Sequence, residues 1–191
     1  MTTLSIIGDG TMGTAIAEVA RRGGHDVTLI GRDGTAADIT GEIVVLALPY
    51  PALSDVITTY APALEGKVVV DITNPLDFDT FDSLQVPADS SAAAEVADAL
   101  PNARVLKAFN TTFAAALSSG RIGDQTTTVL IAGDDADAKS ALADVVTSGG
   151  LNAIDAGALK RARELEAVGF LQLTLAAAER IGWTGGFATV R

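Results

Sequence analysis

The sequence predicts an α/β fold, a doubly wound and mainly parallel sheet, on three observations. First, a short apolar run, Leu4 to Ile7, leads straight into Gly8-Asp9-Gly10-Thr11-Met12-Gly13, which matches G-x-G-x-x-G. Second, a helix-like stretch, Thr14 to Arg22, and another apolar run, Val27 to Ile30, follow it, and this alternation continues to the end of the chain. Third, the run Glu42 to Leu48 is apolar almost throughout, as expected of a strand buried on both faces.

The first unit is the most specific. Gly8 permits a tight turn out of the strand. Gly10, with no Cβ, lets a pyrophosphate approach the backbone, and Gly13 lets the helix pack close to the strand. The free N–H groups and positive dipole end of that helix then face the phosphates. Set between strand and helix, the motif reads as a dinucleotide-binding turn and the fold as Rossmann-type. The second strand ends in Gly31-Arg32. An NAD site carries a carboxylate about 20 residues past the motif, where it accepts the ribose 2′-hydroxyl. A guanidinium pairs instead with a 2′-phosphate. In a chain of net charge −11, a cation at this tip selects NADP over NAD, with Asp33 beside it as a competing partner.

A dinucleotide fold of full size inserts another strand and helix before the next strand of the sheet. Gly31 to Glu42 has room only for one short crossover. The usual third (edge) strand is therefore expected to be missing, so that the sheet begins at the Val27 strand and the adenine pocket is shallow. The Glu42 strand stops at Pro49. A helix follows to about Tyr60, and Pro62 closes that region. Lys67 to Ile72 is the next strand, and Thr73 to Ala88 a loop. Ser90 or Ser91 caps a helix reaching Leu100. Arg104 to Ala108 and Thr127 to Ala132 are strands. Asp134 or Asp135 caps a helix to Thr147, Gly149-Gly150 stops it, and Leu151 to Ile154 is a last short strand. Ala158 to Ile181 reads as one long C-terminal helix, apolar at Leu165, Val168, Leu171, Leu175 and Ala178. No repeat or low-complexity linker divides residues 1–191, which form a single domain.

Composition narrows the classes. At 48% hydrophobic and 5% aromatic, the chain can bury a core built mostly of Ala, Val, Leu and Ile. The absence of cysteine excludes disulfides, thiolate catalysis and Cys-ligated metals, and a single histidine, His25, excludes multi-histidine metal sites. The acidic balance argues against nucleic acid and anionic membrane as partners. No apolar run approaches the about 20 residues of a membrane span. With the first strand starting at Leu4, a signal peptide has no place before it. The expectation is a cytoplasmic protein.

In an open α/β sheet, ligands lie at the carboxyl ends of the strands. Beyond the glycine turn, those ends are Leu48-Pro49-Tyr50, Asp71-Ile72-Thr73-Asn74-Pro75 and Lys107-Ala108-Phe109-Asn110-Thr111-Thr112. Asn74 and Asn110 are placed to donate to a carboxamide or ribose, with Thr111 and Thr112 adding hydroxyls; each Asn has the alternative of satisfying its own loop. No residue reads as a general acid or base. His25 lies at the amino end of its strand and reads as a turn residue. Asp71 reads as an ion pair or a bond to loop backbone. Lys107 is suited to a phosphate or a carboxylate, and Trp183 to packing or a subunit contact. Catalytic and metal-ligating residues are thus none. The cofactor-binding set is Gly8, Asp9, Gly10, Thr11, Met12, Gly13, Gly31, Arg32, Leu48, Pro49, Asn74, Pro75 and Asn110. Such a site suits hydride transfer between two redox cofactors, which needs position and dryness more than proton shuttling.

Several segments together carry a resemblance: Asp71-Ile72-Thr73-Asn74-Pro75-Leu76, Lys107-Ala108-Phe109-Asn110-Thr111, Ala132-Gly133-Asp134-Asp135, Asp155-Ala156-Gly157 and Ala162-Arg163-Glu164-Leu165-Glu166. The chain resembles the NADP-dependent coenzyme F420 reductase family, over nearly its whole length. Some of the motifs are shared with the reductase domain of membrane ferric reductases. The resemblance implies an oxidoreductase that passes hydride between NADPH and F420, NADP contacts at Thr11, Met12 and Arg32, a site bordered by the Asn74 and Asn110 segments, and a homodimer with the C-terminal helix as contact. Two readings stay open. One is an enzyme reducing F420, a flavin, a quinone or a ferric chelate. The other is a non-catalytic NADP-binding redox sensor. A cavity framed by Asn74, Asn110 and Thr111 favours the enzyme; a cavity filled by the Trp183 segment favours the sensor.

Overall fold

Short runs of Val, Ile and Leu form seven strands of one sheet in the computed structural model, which describes residues 1–190. The first five are β1 (Thr3–Ile7), β2 (Asp26–Ile30), β3 (Ile43–Leu46), β4 (Val68–Asp71) and β5 (Arg104–Lys107). Two small strands, β6 (Arg121–Ile122) and β7 (Gln125–Thr126), make a separate hairpin. β8 (Thr128–Gly133) and β9 (Asn152–Gly157) complete the sheet, whose order is β2-β1-β3-β4-β5-β8-β9. Every pairing in it is parallel except β5 with β8.

The expected gap is present: β2 is an outer strand. The chain returns from it to β3 through a single 3-10 turn, Ala36–Asp38, with no further strand. Ser5, buried inside β1, accepts a bond from Gly41 N at 2.9 Å and ties this short crossover to the sheet.

Among the described residues six helices cover the sheet: α1 (Thr11–Arg22), α2 (Leu53–Leu64), α3 (Ala92–Ala99), α4 (Ala114–Ser119), α5 (Ala136–Ser148) and α6 (Ala162–Ala177). The pleat sends alternate strand residues to opposite faces. Ile6, Val45, Val70 and Leu106 meet Ile16 and Val19 of α1 and Leu142 and Val145 of α5. Val44, Leu46, Val69 and Val105 meet Leu53, Ile57 and Leu64 of α2 and Val96 of α3. Both layers are therefore covered, which is why the strands read as continuous apolar runs rather than alternating ones.

The structure corrects the sequence reading in three places. α2 does not close before Pro62 but runs through it to Leu64. Burial of Leu64 draws the last turn onward, at the loss of one backbone donor. The C-terminal helix is not continuous from Ala158 to Ile181. A 3-10 turn, Leu159–Arg161, precedes α6, which ends at Ala177. The buried face of α6 is not the apolar stripe either: Val168 and Leu171 are exposed, while Glu166, Gly169 and Gln172 face inward with Leu165. Finally, α4 and the β6–β7 hairpin occupy the stretch after Thr112, where the sequence gives too few residues for a periodic signal.

Candidate functional site

The glycine turn is built as its spacing predicts. Gly8 has φ +113, open to glycine at little strain, and its N–H donates to Ile30 O of β2 at 2.8 Å. A Cβ on Gly8 would strike the Ala47 carbonyl, and one on Gly13 would strike the Gly8 carbonyl. Gly10 differs: its φ of −72 suits any residue, and nothing lies within 4 Å of where its Cβ would stand. The space above Gly10 adjoins the N-terminus of α1, which carries no side-chain cap and no acidic residue in its first turn. That end is an open cradle for an anion.

A cleft of about 510 Å³ lies on one side of the turn. Gly8, Asp9, Gly10, Gly31, Arg32, Leu48 and Pro49 line it, with Tyr60. Arg32 is exposed and makes no hydrogen bond or ion pair with the described residues, so Asp33 does not engage it. The segment behind Arg32 is held firmly. Tyr60 OH donates to Gly34 O at 2.7 Å, and the Asp38 carboxylate accepts from Thr35 N at 2.8 Å and from Thr35 Oγ1 at 2.9 Å. Those Thr35 bonds hold the Asp38 carboxyl below its ordinary range.

A second cleft, of about 400 Å³, opens on the other side and is lined by Thr11, Met12, Ile72, Asn74, Asn110, Thr112, Phe113 and Trp183 among others. Its two asparagines face each other across the ends of β4 and β5. Asn110 Nδ2 donates to Asn74 Oδ1 at 3.0 Å and to Leu165 O at 2.8 Å, and Asn74 Nδ2 donates to Asn110 O at 3.0 Å. Two acceptors on one atom define it as the NH2 of Asn110. Asn110 Oδ1 is then left buried with no partner among the described residues. A polar atom in that state is worth about 1–3 kcal/mol to satisfy.

The backbone that presents Asn110 is strained. Phe109, 1% exposed, has φ +62, and Asn110 N donates to Ala108 O at 2.8 Å, which closes a γ-turn of the rare positive-φ kind. Strain of about 1–3 kcal/mol persists where surroundings enforce it. Here Thr112 does so, donating to Phe109 O from both its N–H (3.1 Å) and its hydroxyl (2.8 Å).

One contributor was missed in the sequence. Gly169 of α6 lies against the asparagine pair, and a Cβ there would overlap Asn74 Oδ1. A lone glycine inside a helical pattern was the available signal. Two expected residues do not line the cleft. Thr111 is buried away from it. Pro75 is buried too and lies behind Asn74, its carbonyl accepting from Gln85 N at 2.6 Å. Trp183 packs on Phe113, ring centroids 5.1 Å apart, and walls the cleft rather than filling it. Its segment is anchored where Phe187 N donates to Gln172 Oε1 at 3.1 Å.

Beneath the asparagines is a buried charge cluster. Lys107 Nζ lies 2.7 Å from Asp71 Oδ2, 2.8 Å from Glu166 Oε1 and 2.6 Å from Thr73 O. Asp71 Oδ1 accepts from Thr73 N at 2.9 Å, and Glu166 Oε2 from Ala92 N at 3.0 Å. Of the alternatives open to Lys107, carboxylates are what it meets, and Asp71 is the structural ion pair expected. Burial pushes the Glu166 carboxyl up, against the pull of Lys107. The cluster joins β4, β5, α3 and α6 and touches neither cleft. His25 is likewise structural, accepting from Thr2 N at 3.1 Å and lying 2.9 Å from Ser148 Oγ.

The second cleft has no carboxylate, histidine, lysine or tyrosine in its lining. It can hold a flat apolar ring and orient an amide, but it offers no proton shuttle.

No family model matches the chain. An F420-dependent NADP reductase of Methanocaldococcus jannaschii is 31% identical over 155 residues, covering 79% of this chain and 69% of that protein. The metalloreductase STEAP3 of Rattus norvegicus is 37% identical over 109 residues, 56% of this chain but 21% of that protein. Among solved structures, a candidate F420-dependent NADP reductase from Arthrobacter sp. FB24 superposes with a TM-score of 0.89 at 26% identity, covering 100% of both chains.

Proposed function

We propose that this chain, which belongs to the F420-dependent NADP reductase family, transfers hydride between NADPH and F420 or a similar flat acceptor across its glycine turn. The observation that carries the reading is the second cleft. It adjoins Thr11 and Met12, is neutral throughout, and has one unsatisfied amide oxygen, Asn110 Oδ1, beside it. That Trp183 stands as a wall and leaves the cavity open favours turnover over a sensor.

The residues fit an NADP molecule laid across both clefts. Gly8, Gly10 and the open N-terminus of α1 take the pyrophosphate, with Gly13 supporting the turn from below. Arg32 pairs with the 2′-phosphate, while Asp9, Gly31, Leu48 and Pro49 border the adenosine half. Thr11, Met12, Asn74 and Asn110 border the nicotinamide. Asn110 Oδ1 accepts from the carboxamide NH2, which fixes the exposed face of the ring. When bound, the dinucleotide supplies the hydride, so the protein supplies alignment and the exclusion of water. The exposed Val168 and Leu171 of α6 supply an apolar patch suited to a homodimer.

The test is an anaerobic assay of NADPH with F420, following the deazaflavin absorbance. Rapid bleaching supports the reading. Tight NADPH binding with no bleaching moves the acceptor to a free flavin, a quinone or a ferric chelate, each assayed in the same cell.

A further inference from the structure

We propose that Asp9 sets the dinucleotide preference of this chain, because its carboxylate occupies the tip of β2 where the adenosine ribose is read. The inference rests on the dinucleotide reading above and deepens it. In a Rossmann site, the side chain at the end of the second strand reads the 2′ position: a carboxylate accepts the free hydroxyl, and an arginine meets the phosphate. Here the residue that follows the strand is Gly31, which has no side chain to do either. The carboxylate arrives from elsewhere. Asp9 leaves the glycine turn with Oδ2 2.7 Å from the point where a Gly31 Cβ would stand. A side chain at residue 31 would therefore have to displace the Asp9 carboxylate from this position. The Asp9 side chain is exposed to the first cleft and makes no hydrogen bond or ion pair with the described residues; only its backbone carbonyl is engaged, by Thr14 Oγ1 at 3.3 Å.

Two opposite determinants thus sit side by side. Arg32, next in the chain after Gly31, is an unpaired cation suited to a 2′-phosphate. Asp9 is an unpaired anion suited to a 2′-hydroxyl and opposed to a phosphate. The site accepts both dinucleotides. NADPH gains from Arg32 and loses part of that gain to Asp9, while NADH gains a hydrogen bond to Asp9 and needs nothing from Arg32.

The experiment is equilibrium titration of the full chain with NADPH and with NADH, read by the fluorescence of the bound reduced nicotinamide. Wild type, Asp9→Ala and Arg32→Ala are compared. The expected result is that wild type binds both. Asp9→Ala should bind NADPH about tenfold tighter and NADH more weakly, so the two dissociation constants move in opposite senses and their ratio shifts by more than about tenfold toward NADPH. Arg32→Ala should weaken NADPH and leave NADH unchanged. Asp9→Ala shifting both dinucleotides by the same factor, or weakening NADPH, overturns the assignment while leaving the dinucleotide reading intact. Wild type binding neither overturns both.

Discussion

Replacing Lys107 by Met keeps the unbranched apolar stem and deletes the charged end. Three contacts vanish: 2.7 Å to Asp71, 2.8 Å to Glu166 and 2.6 Å to Thr73 O. Two carboxylates, 0% and 1% exposed, are left facing each other without a cation. Breaking a buried ion pair from one side costs about 3–5 kcal/mol. At about 2.1 cal/mol/K per residue, 191 residues give an unfolding entropy of about 0.4 kcal/mol/K, so the melting temperature should fall by about 7–12 °C. The loss has a built-in relief. With Lys107 gone, Glu166, whose carboxyl burial already pushes up, can take a proton and share it with Asp71. The drop should therefore be smaller at pH 5 than at pH 8. Scanning calorimetry at both values reads it directly. A drop below about 2 °C at pH 8, or an equal drop at the two pH values, would refute the view that Lys107 compensates the two buried carboxylates.

The remaining predictions are smaller in scope. Glu166→Gln should reveal the sign of the same linkage. A raised carboxyl means the folded state holds that proton better than the unfolded chain, so wild type gains stability relative to Glu166→Gln as pH falls from neutral toward the ordinary value of 4.5; urea midpoints that stay parallel across that range would contradict it. Gly10→Val should abolish NADPH binding with the melting temperature within about 3 °C of wild type, since its φ of −72 tolerates a side chain and the space is free; retained affinity would contradict the pyrophosphate cradle. Gly169→Ala should displace Asn74 from Asn110 and lower kcat/KM about tenfold, as expected of a misaligned reactant; unchanged kinetics would remove the asparagine pair from the site. His25→Ala should leave turnover unchanged and cost about 1 kcal/mol for its bonds to Thr2 and Ser148; a large rate loss would refute its structural role.

Much of this molecule follows from local pattern. The G-x-G-x-x-G turn, the parallel strands and the absent edge strand depend on spacing and apolar continuity, which a one-dimensional reading carries. Asp71 and Lys107 were recognisable as charges inside strands, and so as groups in need of partners. The tertiary structure decided what those partners are. Nothing in the local pattern marks Glu166 as buried, and Val168 and Leu171 read as part of the apolar stripe of the helix; in the fold Glu166 is buried and they are exposed, because Lys107 and Ala92 N, distant in the chain, neutralise and bond Glu166 in the interior. The strained γ-turn at Phe109, the fit of Gly169 against Asn74, and the carboxylate of Asp9 reaching across to Gly31 arise in the same way. Each depends on which segments the sheet brings side by side. Sequence spacing determines the elements and their order; burial of polar groups is affordable only where distant partners converge, and that convergence exists only in the folded chain.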